Sequence, residues 1–353
     1  MQRIIDIHTH VYPHYADLAV EAMDRSGIEA SVVLAWHDGF GDGLQRHIDA
    51  FAKYPGRFIT FGNVDFSRIN EPDFGKTAAA QMERDFAAGM RGLKVFKALG
   101  LGYRRPDGRY WRPSDSELDP IWAKAGELGI PVLIHSADPP NFWEPVNEFN
   151  FWNGVLYGEY AWWTYYNTGQ PSANELLGDR IEMVARHRGT TFIFPHCAEK
   201  ADSLDCAAED LDAHPNIVYD FSARVPELAR SARRAAHTRE FFTAYADRIF
   251  FGTDVIYDDT NVPTGQQAQI LYQPGEIPLD GADARERYIE TTTAFNISNI
   301  EFITSSKIQT SPPFKRSIAP FAIHGLGLPE EIAAKILHRN AVRLLGLQDN
   351  PTR

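Results

Sequence analysis

The sequence predicts an α/β fold, a closed (β/α)8 or TIM barrel, and three observations carry that prediction. Eight short apolar runs rich in β-branched residues alternate with segments of helical periodicity, which indicates parallel strands joined by helices. No glycine-rich dinucleotide turn follows an early strand, although the alternative architecture, an open doubly wound sheet, would require one. The length of 353 residues is enough for one barrel enlarged by insertions.

The predicted strands and helices alternate along the chain. The strands are Arg3–His10, Ala30–Trp36, Phe58–Asp65, Arg91–Phe96, Ile130–Ser136, Thr191–His196, Asn216–Ser222 and Arg248–Asp254. The helices between them are Asp17–Ser26, Gly43–Lys53, Lys76–Ala88, Leu118–Leu128, Glu175–His187, Ala201–Ala213 and Arg233–Tyr245. A last amphipathic helix is predicted over Pro329–Leu345, because Pro329 suits the first turn and Ile332 and Ile336 share its apolar face.

Two connections are too long for plain loops, and we expect both to be functional insertions in a single domain of residues 1–353. The first covers residues 137–174 after strand five and holds eleven aromatic residues between Phe142 and Tyr166. These aromatics could wall a pocket, form a subunit interface or pack on one another. The second covers residues 255–327 after strand eight, is rich in proline and contains a helical patch near Asp283–Ala294.

Composition excludes several classes of protein. The net charge of −12 argues against a nucleic-acid partner, because DNA and RNA phosphates would be repelled. Two cysteines exclude a disulfide scaffold and suit a reducing compartment. No apolar run approaches the roughly 18 residues of a membrane span, and residues 1–6 show no signal-peptide pattern. We therefore expect a cytoplasmic protein whose partner is a small molecule, with a homodimer or larger homo-oligomer as an open possibility.

Polar side chains recur at the carboxyl ends of five predicted strands. His8 and His10 are two residues apart on strand one and therefore point to the same face. The other strand-end residues are Lys94 on strand four, His135 on strand five, His196 on strand six and Asp254 on strand eight. Neutral imidazoles and a carboxylate that converge on one axis suit Zn²⁺ or Mn²⁺ with one position left for water. Each residue alone is a weak signal, but their recurrence at one end predicts a metal site.

This arrangement resembles the amidohydrolase superfamily, which carries HxH on strand one, histidines on strands five and six, and aspartate on strand eight. It is similar in particular to the amidohydrolase-related group of aminocarboxymuconate-semialdehyde decarboxylase, the resorcylate decarboxylases and pyrone dicarboxylate lactonase. The closing segments Gly325–Glu331 and Asn340–Gly346 resemble the C-terminal helix of that group. The resemblance extends through the strand ends over nearly the whole chain and is weakest in the two insertions.

The resemblance implies a ligand set of His8, His10, His135 and Asp254 for one divalent transition metal ion, with Zn²⁺ expected before Mn²⁺. Asp254 would also be the base that takes a proton from metal-activated water. The resemblance gives His196 the task of polarising the substrate or handling a proton.

Lys94 keeps the number of metal ions open. It stands where dinuclear members of the superfamily carry a carboxylated lysine that bridges two ions, and a second metal is therefore the alternative. Without that modification, the ammonium would bind a substrate carboxylate or pair with Asp254. We favour one metal ion.

The predicted activity is metal-dependent hydrolysis of a small, carboxylated and ring-bearing substrate by an activated water. The alternative is non-oxidative decarboxylation of an aromatic or unsaturated acid, since spacing along the sequence does not separate the two reactions. A barrel that has lost catalysis and only binds a ligand is a third hypothesis. Convergence of buried histidines and an aspartate speaks against it, because their burial is unfavourable without a metal.

Candidate substrate contacts come from three places. Arg104 lies in the loop after strand four, Arg224 lies just past strand seven, and Trp143 follows His135 in the first insertion. An arginine can bind a carboxylate through two parallel hydrogen bonds. Each residue also has a structural alternative, namely a surface ion pair for Arg104, a salt bridge to Glu227 for Arg224, and packing within the insertion for Trp143.

Overall fold

The computed structural model describes residues 3–156, 158–258, 283–310 and 322–348. Within these ranges, nine strands form one parallel sheet. They are β1 (Ile5–Val11), β2 (Ala30–Leu34), β3 (Phe58–Gly62), β4 (Gly92–Val95), β5 (Val132–Ile134), β6 (Phe192–Phe194), β7 (Ile217–Asp220), β8 (Ile249–Phe250) and β9 (Val255–Tyr257). Their order in the sheet is β8-β7-β6-β5-β4-β3-β2-β1-β9, so neighbours in space are neighbours in sequence up to the last strand. The predicted (β/α)8 barrel is confirmed.

The barrel closes through a strand that is split in two. Of the predicted eighth strand, Arg248–Asp254, only β8 is regular strand and pairs with β7, whereas β9 begins just after the predicted end and pairs with β1. Two backbone hydrogen bonds join β1 to the segment between β8 and β9, from Ile7 N to Phe251 O at 3.0 Å and from Asp254 N to His8 O at 2.7 Å. We call this junction the seam of the barrel. Asp254 therefore lies directly beside His8.

The seven helices predicted between the strands are all present, with ends that differ from the predicted ones by at most three residues. The helices are α1 (Ala16–Ser26), α2 (Gly41–Phe51), α3 (Phe74–Ala88), α4 (Ala98–Leu101), α5 (Asp119–Glu127), α6 (Asn153–Leu156), α7 (Ala173–Arg186), α8 (Leu204–Ala213), α9 (Val225–Ala229), α10 (Ala232–Ala244), α11 (Ala284–Thr304), α12 (Glu330–Ala334) and α13 (Asn340–Leu345). A π-helical turn over Lys335–Arg339 joins α12 to α13, so the predicted last helix is continuous. Ser172 and Glu175 form a capping box that begins α7.

Because its register shifts, β1 contributes apolar side chains to the core of the barrel and histidines to the candidate site. The pairing of β1 with β2 shifts between Asp6 and Thr9. Ile5 and Ile7 pack in the cluster that also holds Val32 and Leu34 of β2. Because a bulge re-aims the side chains that follow it, the histidines of β1 can also turn toward the barrel mouth.

Each predicted insertion contains regular structure. The first holds 3-10 turns at Pro140–Trp143 and Gly158–Trp163 together with α6. The barrel strand β9 occupies the first residues of the second, which also contains α11 and the antiparallel pair β10 (Ile308–Gln309) and β11 (Ile323–His324). The prolines predicted to mark the second insertion, Pro263, Pro274, Pro278, Pro312, Pro313 and Pro320, lie outside the described residues. Within the described ranges, no helix has the length and apolar character that crossing a membrane demands.

Candidate metal centre

Three of the predicted ligands come together at the barrel mouth. Asp254 Oδ1 lies 3.2 Å from His8 Nε2 and 3.4 Å from His10 Nε2. Both imidazoles are buried, and the ligand atoms of the three residues all lie within 4.8 Å of one another. Two nitrogens and a carboxylate oxygen at this spacing form a donor set that Zn²⁺ or Mn²⁺ accepts.

The protonation of His10 makes this group suited to a cation. His10 Nδ1 is 2.8 Å from the Leu34 carbonyl oxygen, which only accepts, so Nδ1 carries the hydrogen. Burial lowers the pKa of His10 to about 4, which leaves Nε2 with a lone pair at neutral pH. Burial alone would raise the pKa of Asp254, but the neighbouring His8 and His10 hold it well below its usual range. The lone pair of His10 Nε2 thus faces the ionised carboxylate of Asp254, and a metal ion could accept electron pairs from both.

Asp220, which the sequence analysis missed, orients His8 from behind. Its Oδ2 lies 2.8 Å from His8 Nδ1, and its Oδ1 accepts hydrogen bonds from the backbone nitrogens of His196 and Ser222 and from the Ser222 hydroxyl. Burial lowers the pKa of His8, but the charges of Asp220 and Asp254 outweigh it and raise the pKa to about 9. A carboxylate behind a ligating histidine fixes its ring and raises its basicity. The available sequence signal was an acidic residue that ends the seventh strand.

The other two predicted histidines form a neighbouring group with Glu199. His135 Nε2 lies 3.2 Å from Glu199 Oε1, and neither atom has a hydrogen-bond partner among the described residues. The ring centroid of His196 is 4.7 Å from that of His135 and 5.1 Å from that of His8, so His196 links the two groups. Burial lowers the pKa of His196 to about 3, and its Nδ1 lies 2.9 Å from the Ser222 carbonyl oxygen, which leaves Nε2 unprotonated. The structure thus places His135 beside His196 and Glu199 rather than against His10.

An unusual backbone carries His196 and Glu199, which the sequence analysis also missed. The four residues His196–Glu199 all have φ between 52° and 61°. Such left-handed conformation costs a residue with a side chain roughly 1–2 kcal/mol, and it rarely extends beyond a single residue. Of the eight described non-glycine residues with positive φ, six lie where strands six, seven and eight end, namely this turn, Ala223 and Asp254, and the other two are Asp73 and Asn167. Sequence periodicity gives no signal for such a turn.

Lys94 is a buried ammonium between the metal-capable residues and a set of stacked rings. It is 2% exposed, and among the described residues no carboxylate lies within 4 Å of its Nζ. Burial lowers the pKa of Lys94 to about 8, so most of it is charged at neutral pH. His10 stacks on Trp36 at 4.1 Å between ring centroids, and Trp36 stacks on Phe96 at 5.3 Å. A cavity of about 110 Å³ adjoins them and is lined by Lys94, Phe96, Asn63, Asp65, Tyr103 and His37, among others.

Arg224 lies at the site but is held by a carboxylate of the protein. Its Nη2 donates a 2.7 Å hydrogen bond to Glu199 Oε2, and its Nε lies 3.7 Å from Glu227 Oε1. Its guanidinium also lies 5.0 Å from the ring centroid of Trp152 in the first insertion. Arg224 therefore neutralises Glu199 and contacts the insertion, and the expected pairing with Glu227 is a longer contact.

The structure does not bring Arg104 or Trp143 into contact with the ligand residues. Arg104 is exposed, stacks on Tyr110 at 3.9 Å and donates to the Gly108 carbonyl. Trp143 donates from Nε1 to the Pro171 carbonyl at 2.8 Å, and its ring packs against another ring of the same insertion. Both side chains are engaged within their own loops.

The first insertion is anchored beside His135 through Asp138. Lys97 Nζ lies 2.5 Å from Asp138 Oδ2, and the Tyr165 hydroxyl donates to the same oxygen at 2.7 Å. Lys97 also lies 5.1 Å from the ring centroid of Trp163. Burial opposes ionisation of Asp138, but Lys97 outweighs it and lowers the pKa to about 2. The aromatic insertion is therefore part of the rim of the site.

Comparison with known proteins assigns the family. The family model described as amidohydrolase matches residues 5–347. The chain belongs to the amidohydrolase family. No curated protein sequence matches this amidohydrolase at a significant level.

Solved structures share the fold of this amidohydrolase at low sequence identity. A 2,6-dihydroxybenzoate decarboxylase from Rhizobium is 16% identical, with a TM-score of 0.54 over 98% of this chain and 99% of that one. A dihydroxybenzoic acid decarboxylase from Polaromonas, solved with manganese and the inhibitor 2-nitroresorcinol, is 14% identical, with a TM-score of 0.55 over 98% of each chain. A 4-oxalomesaconate hydratase from Rhodopseudomonas palustris is 16% identical, with a TM-score of 0.52 over 98% of this chain and 96% of that one.

Proposed function

We propose that this amidohydrolase is a metal-dependent decarboxylase of a small, flat, ring-bearing carboxylic acid. The observation that carries the proposal is Lys94, a buried ammonium without a carboxylate partner among the described residues, beside the metal-capable group and the stacked rings. A buried charge favours an opposite charge from the ligand, and flat aromatic walls favour a flat ligand. A planar carboxylate satisfies both requirements.

His8, His10 and Asp254 are the residues that would hold the metal ion, with His135 as the further ligand expected from sequence. A bound Zn²⁺ or Mn²⁺ would supply positive charge that polarises the oxygen atoms of the substrate. A single ion is our proposal, and carboxylated Lys94 with a second ion is the alternative. The solved decarboxylase with manganese supports the choice of a divalent transition metal.

The side chains of the site divide the remaining tasks of the reaction. Trp36 and Phe96 orient the ring, and Lys94 binds the carboxylate of the substrate. When the bond between ring carbon and carboxyl carbon breaks, the electron pair stays on the ring carbon and CO₂ leaves. Burial raises the pKa of Glu199 and Arg224 opposes that rise, and we assign to this carboxyl group the delivery of a proton to that carbon. Water then returns a proton to Glu199, and the hydroxide that is left combines with the released CO₂ as bicarbonate, so the reaction balances.

Hydrolysis is the second candidate, and one specific observation favours it. Asp254 is held ionised beside His8 and His10 and is therefore a base at neutral pH rather than an acid. A base at this position suits deprotonation of an attacking water. Decarboxylation is placed first because Lys94 and the stacked rings match the chemistry of a flat acid, and because solved decarboxylases of dihydroxybenzoates share the fold.

One assay separates the two reactions. Metal-loaded protein is incubated with hydroxybenzoic acids labelled with ¹³C in the carboxyl group, and in parallel with lactones and amides that carry a carboxylate. We expect release of labelled CO₂, which Asp254→Asn abolishes and Asp205→Asn, a change at an exposed ion pair, leaves intact. Ring opening of a lactone without release of CO₂ from any acid would reverse the order of the two candidates. Absence of both reactions, in protein that carries its metal, would support a barrel that only binds.

A further inference from the structure

The left-handed turn His196–Glu199 is contacted from behind by one buried arginine. Arg180 projects from α7 and is 1% exposed. Its Nη2 donates a 2.8 Å hydrogen bond to the carbonyl oxygen of Ala198, the third residue of the turn. Its guanidinium lies 3.9 Å from the ring centroid of Phe194, at the end of β6. Arg180 therefore connects the helix before β6 to the turn after it.

Among the described residues, no ion pair compensates for the burial of the Arg180 guanidinium. Among the described residues, no carboxylate lies within 4 Å of it, and its Nε and Nη1 have no hydrogen-bond partner. Burial of a charged group is unfavourable unless specific contacts compensate for it. The directed contacts of this group are the ring of Phe194 and the carbonyl of Ala198. An apolar residue would fill the same space without burying a charge, so the contact to the turn is the feature that requires arginine.

The turn determines where two side chains of the site lie. His196 begins it and Glu199 ends it, and the Cα of each is displaced if any intervening residue leaves the left-handed region. Glu199 contacts both His135 and Arg224, so even a small displacement changes which partner its carboxyl group faces. Since left-handed backbone is unfavourable for residues with side chains, the turn needs outside contacts to persist.

We propose that Arg180 is a positioning residue that holds the turn His196–Glu199 left-handed and thereby sets the position of Glu199 at the site. It acts through the backbone and does not touch the reacting atoms. The catalytic part of this inference rests on the proposed function, in which Glu199 acts on the substrate from its position beside His135. The conformational part does not depend on that function.

Cys197 provides a direct readout of the turn. It is the second residue of the turn and fully buried, whereas the other cysteine, Cys206, is exposed. In a Cys206→Ser background, the rate of labelling by an aromatic disulfide reagent reports opening around Cys197. We expect Arg180→Met to raise that rate at least tenfold and Arg180→Lys, which retains a cationic hydrogen-bond donor, to raise it less. Arg186→Met is the matched control on α7, because Arg186 pairs with Glu182 and Asp119 and not with the turn.

Urea unfolding of each variant separates local opening from global unfolding. A labelling rate in Arg180→Met that matches Arg186→Met, or that rises only as global destabilisation requires, overturns the proposal. If Arg180→Met does not fold, the labelling rate of Arg180→Lys is compared with that of Arg186→Met instead. Equal rates then overturn the proposal.

In the decarboxylation assay, we expect Arg180→Met to lower kcat at least tenfold with little change in KM, and Arg180→Lys to recover part of the loss. An unchanged kcat, or a rise in KM alone, contradicts the positioning of Glu199. If wild-type protein proves inactive toward all acids, the proposed function fails, but the labelling of Cys197 still tests Arg180.

Discussion

His10 and Asp254 face each other with no hydrogen between them, at 3.4 Å from His10 Nε2 to Asp254 Oδ1. The hydrogen of the imidazole is on Nδ1, where it is donated to the Leu34 carbonyl, and the carboxyl group is ionised. Two electron-rich atoms this close, both largely removed from water, favour a cation between them.

Protein purified without chelator should therefore contain about one equivalent of Zn or Mn by elemental analysis. His10→Ala should lose most of it, because one of the clustered donors is removed. His237→Ala, at an exposed histidine that pairs with Asp205, should keep its metal. Two equivalents per chain, together with added mass on Lys94, would contradict the single-ion proposal.

Asp220→Asn should weaken metal affinity by about 10–100-fold, because the residue that orients His8 is lost while the ligands remain. An amide cannot accept all of the hydrogen bonds that reach Asp220 from His8, His196 and Ser222. Competition with a fluorescent chelator measures the affinity. The control is Asp205→Asn at the surface, and equal affinities in the two variants would show that Asp220 does not support the site.

Lys94→Met should raise the KM for a carboxylate substrate by roughly 10–100-fold, the range expected for one hydrogen bond between charged groups. Metal content should stay the same, because the ammonium is a substrate contact in our proposal. Lys76→Met, at an exposed lysine paired with Asp73, is the control. Loss of metal together with activity in Lys94→Met would instead assign Lys94 to the metal site.

Tyr165→Phe should loosen the attachment of the first insertion to the barrel. The hydroxyl of Tyr165 donates to the buried carboxylate of Asp138, and loss of a hydrogen bond to a charged group costs about 1.5–3 kcal/mol in the free energy of unfolding. Urea denaturation measures that loss, and limited proteolysis should cut within residues 137–174 sooner. Tyr54→Phe, which removes an exposed contact to Asp17, should change stability by much less. Equal effects would argue against anchoring through Asp138.

The stability of the protein should fall in mild acid partly because of His47. This histidine is 1% exposed, and burial lowers its pKa in the folded state below the ordinary value. The unfolded chain therefore binds a proton at His47 that the folded chain does not, and stability decreases as pH falls below the unfolded pKa near 6.5. Between pH 7 and 5.5, the unfolding free energy of His47→Asn should fall by less than that of the wild type, because asparagine binds no proton in the unfolded chain. The exposed His237→Asn should behave like the wild type, and parallel losses in all three proteins would contradict the assignment.

The barrel and the convergence of His8, His10 and Asp254 at one end of it could be predicted because both depend on short-range periodicity. The spacing of His8 and His10 places them on one face of a strand, and Asp254 follows an apolar run that ends at the same face. Asp220 and Glu199 were missed because a single acidic residue at a strand end or in a loop has no distinguishing pattern. Their roles depend on contacts with His8 and His135, far away in the sequence.

The positions of Arg180 and Arg104 could not be predicted from the sequence, and the two residues differ from expectation in opposite ways. Arg180 lies in an amphipathic helix, where an arginine normally faces solvent, yet it is fully buried. Arg104 lies in a loop at the expected end of the barrel, but it stacks on Tyr110 instead of reaching the site. The pairing of a long cationic side chain is decided by tertiary neighbours, which spacing does not reveal.

The seam of the barrel, where β1 meets the segment between β8 and β9, makes assembly of the site depend on the order in which the chain is synthesised. His8 and His10 emerge with the first strand, whereas Asp254 follows only after seven further strands have been synthesised. The donor set cannot exist on a nascent chain until the ends of the barrel meet, since Asp254 N bonds the carbonyl of His8 across the seam. Capture of a metal ion by these donors would therefore be a late event in biogenesis, and the bound ion would link the first and last strands.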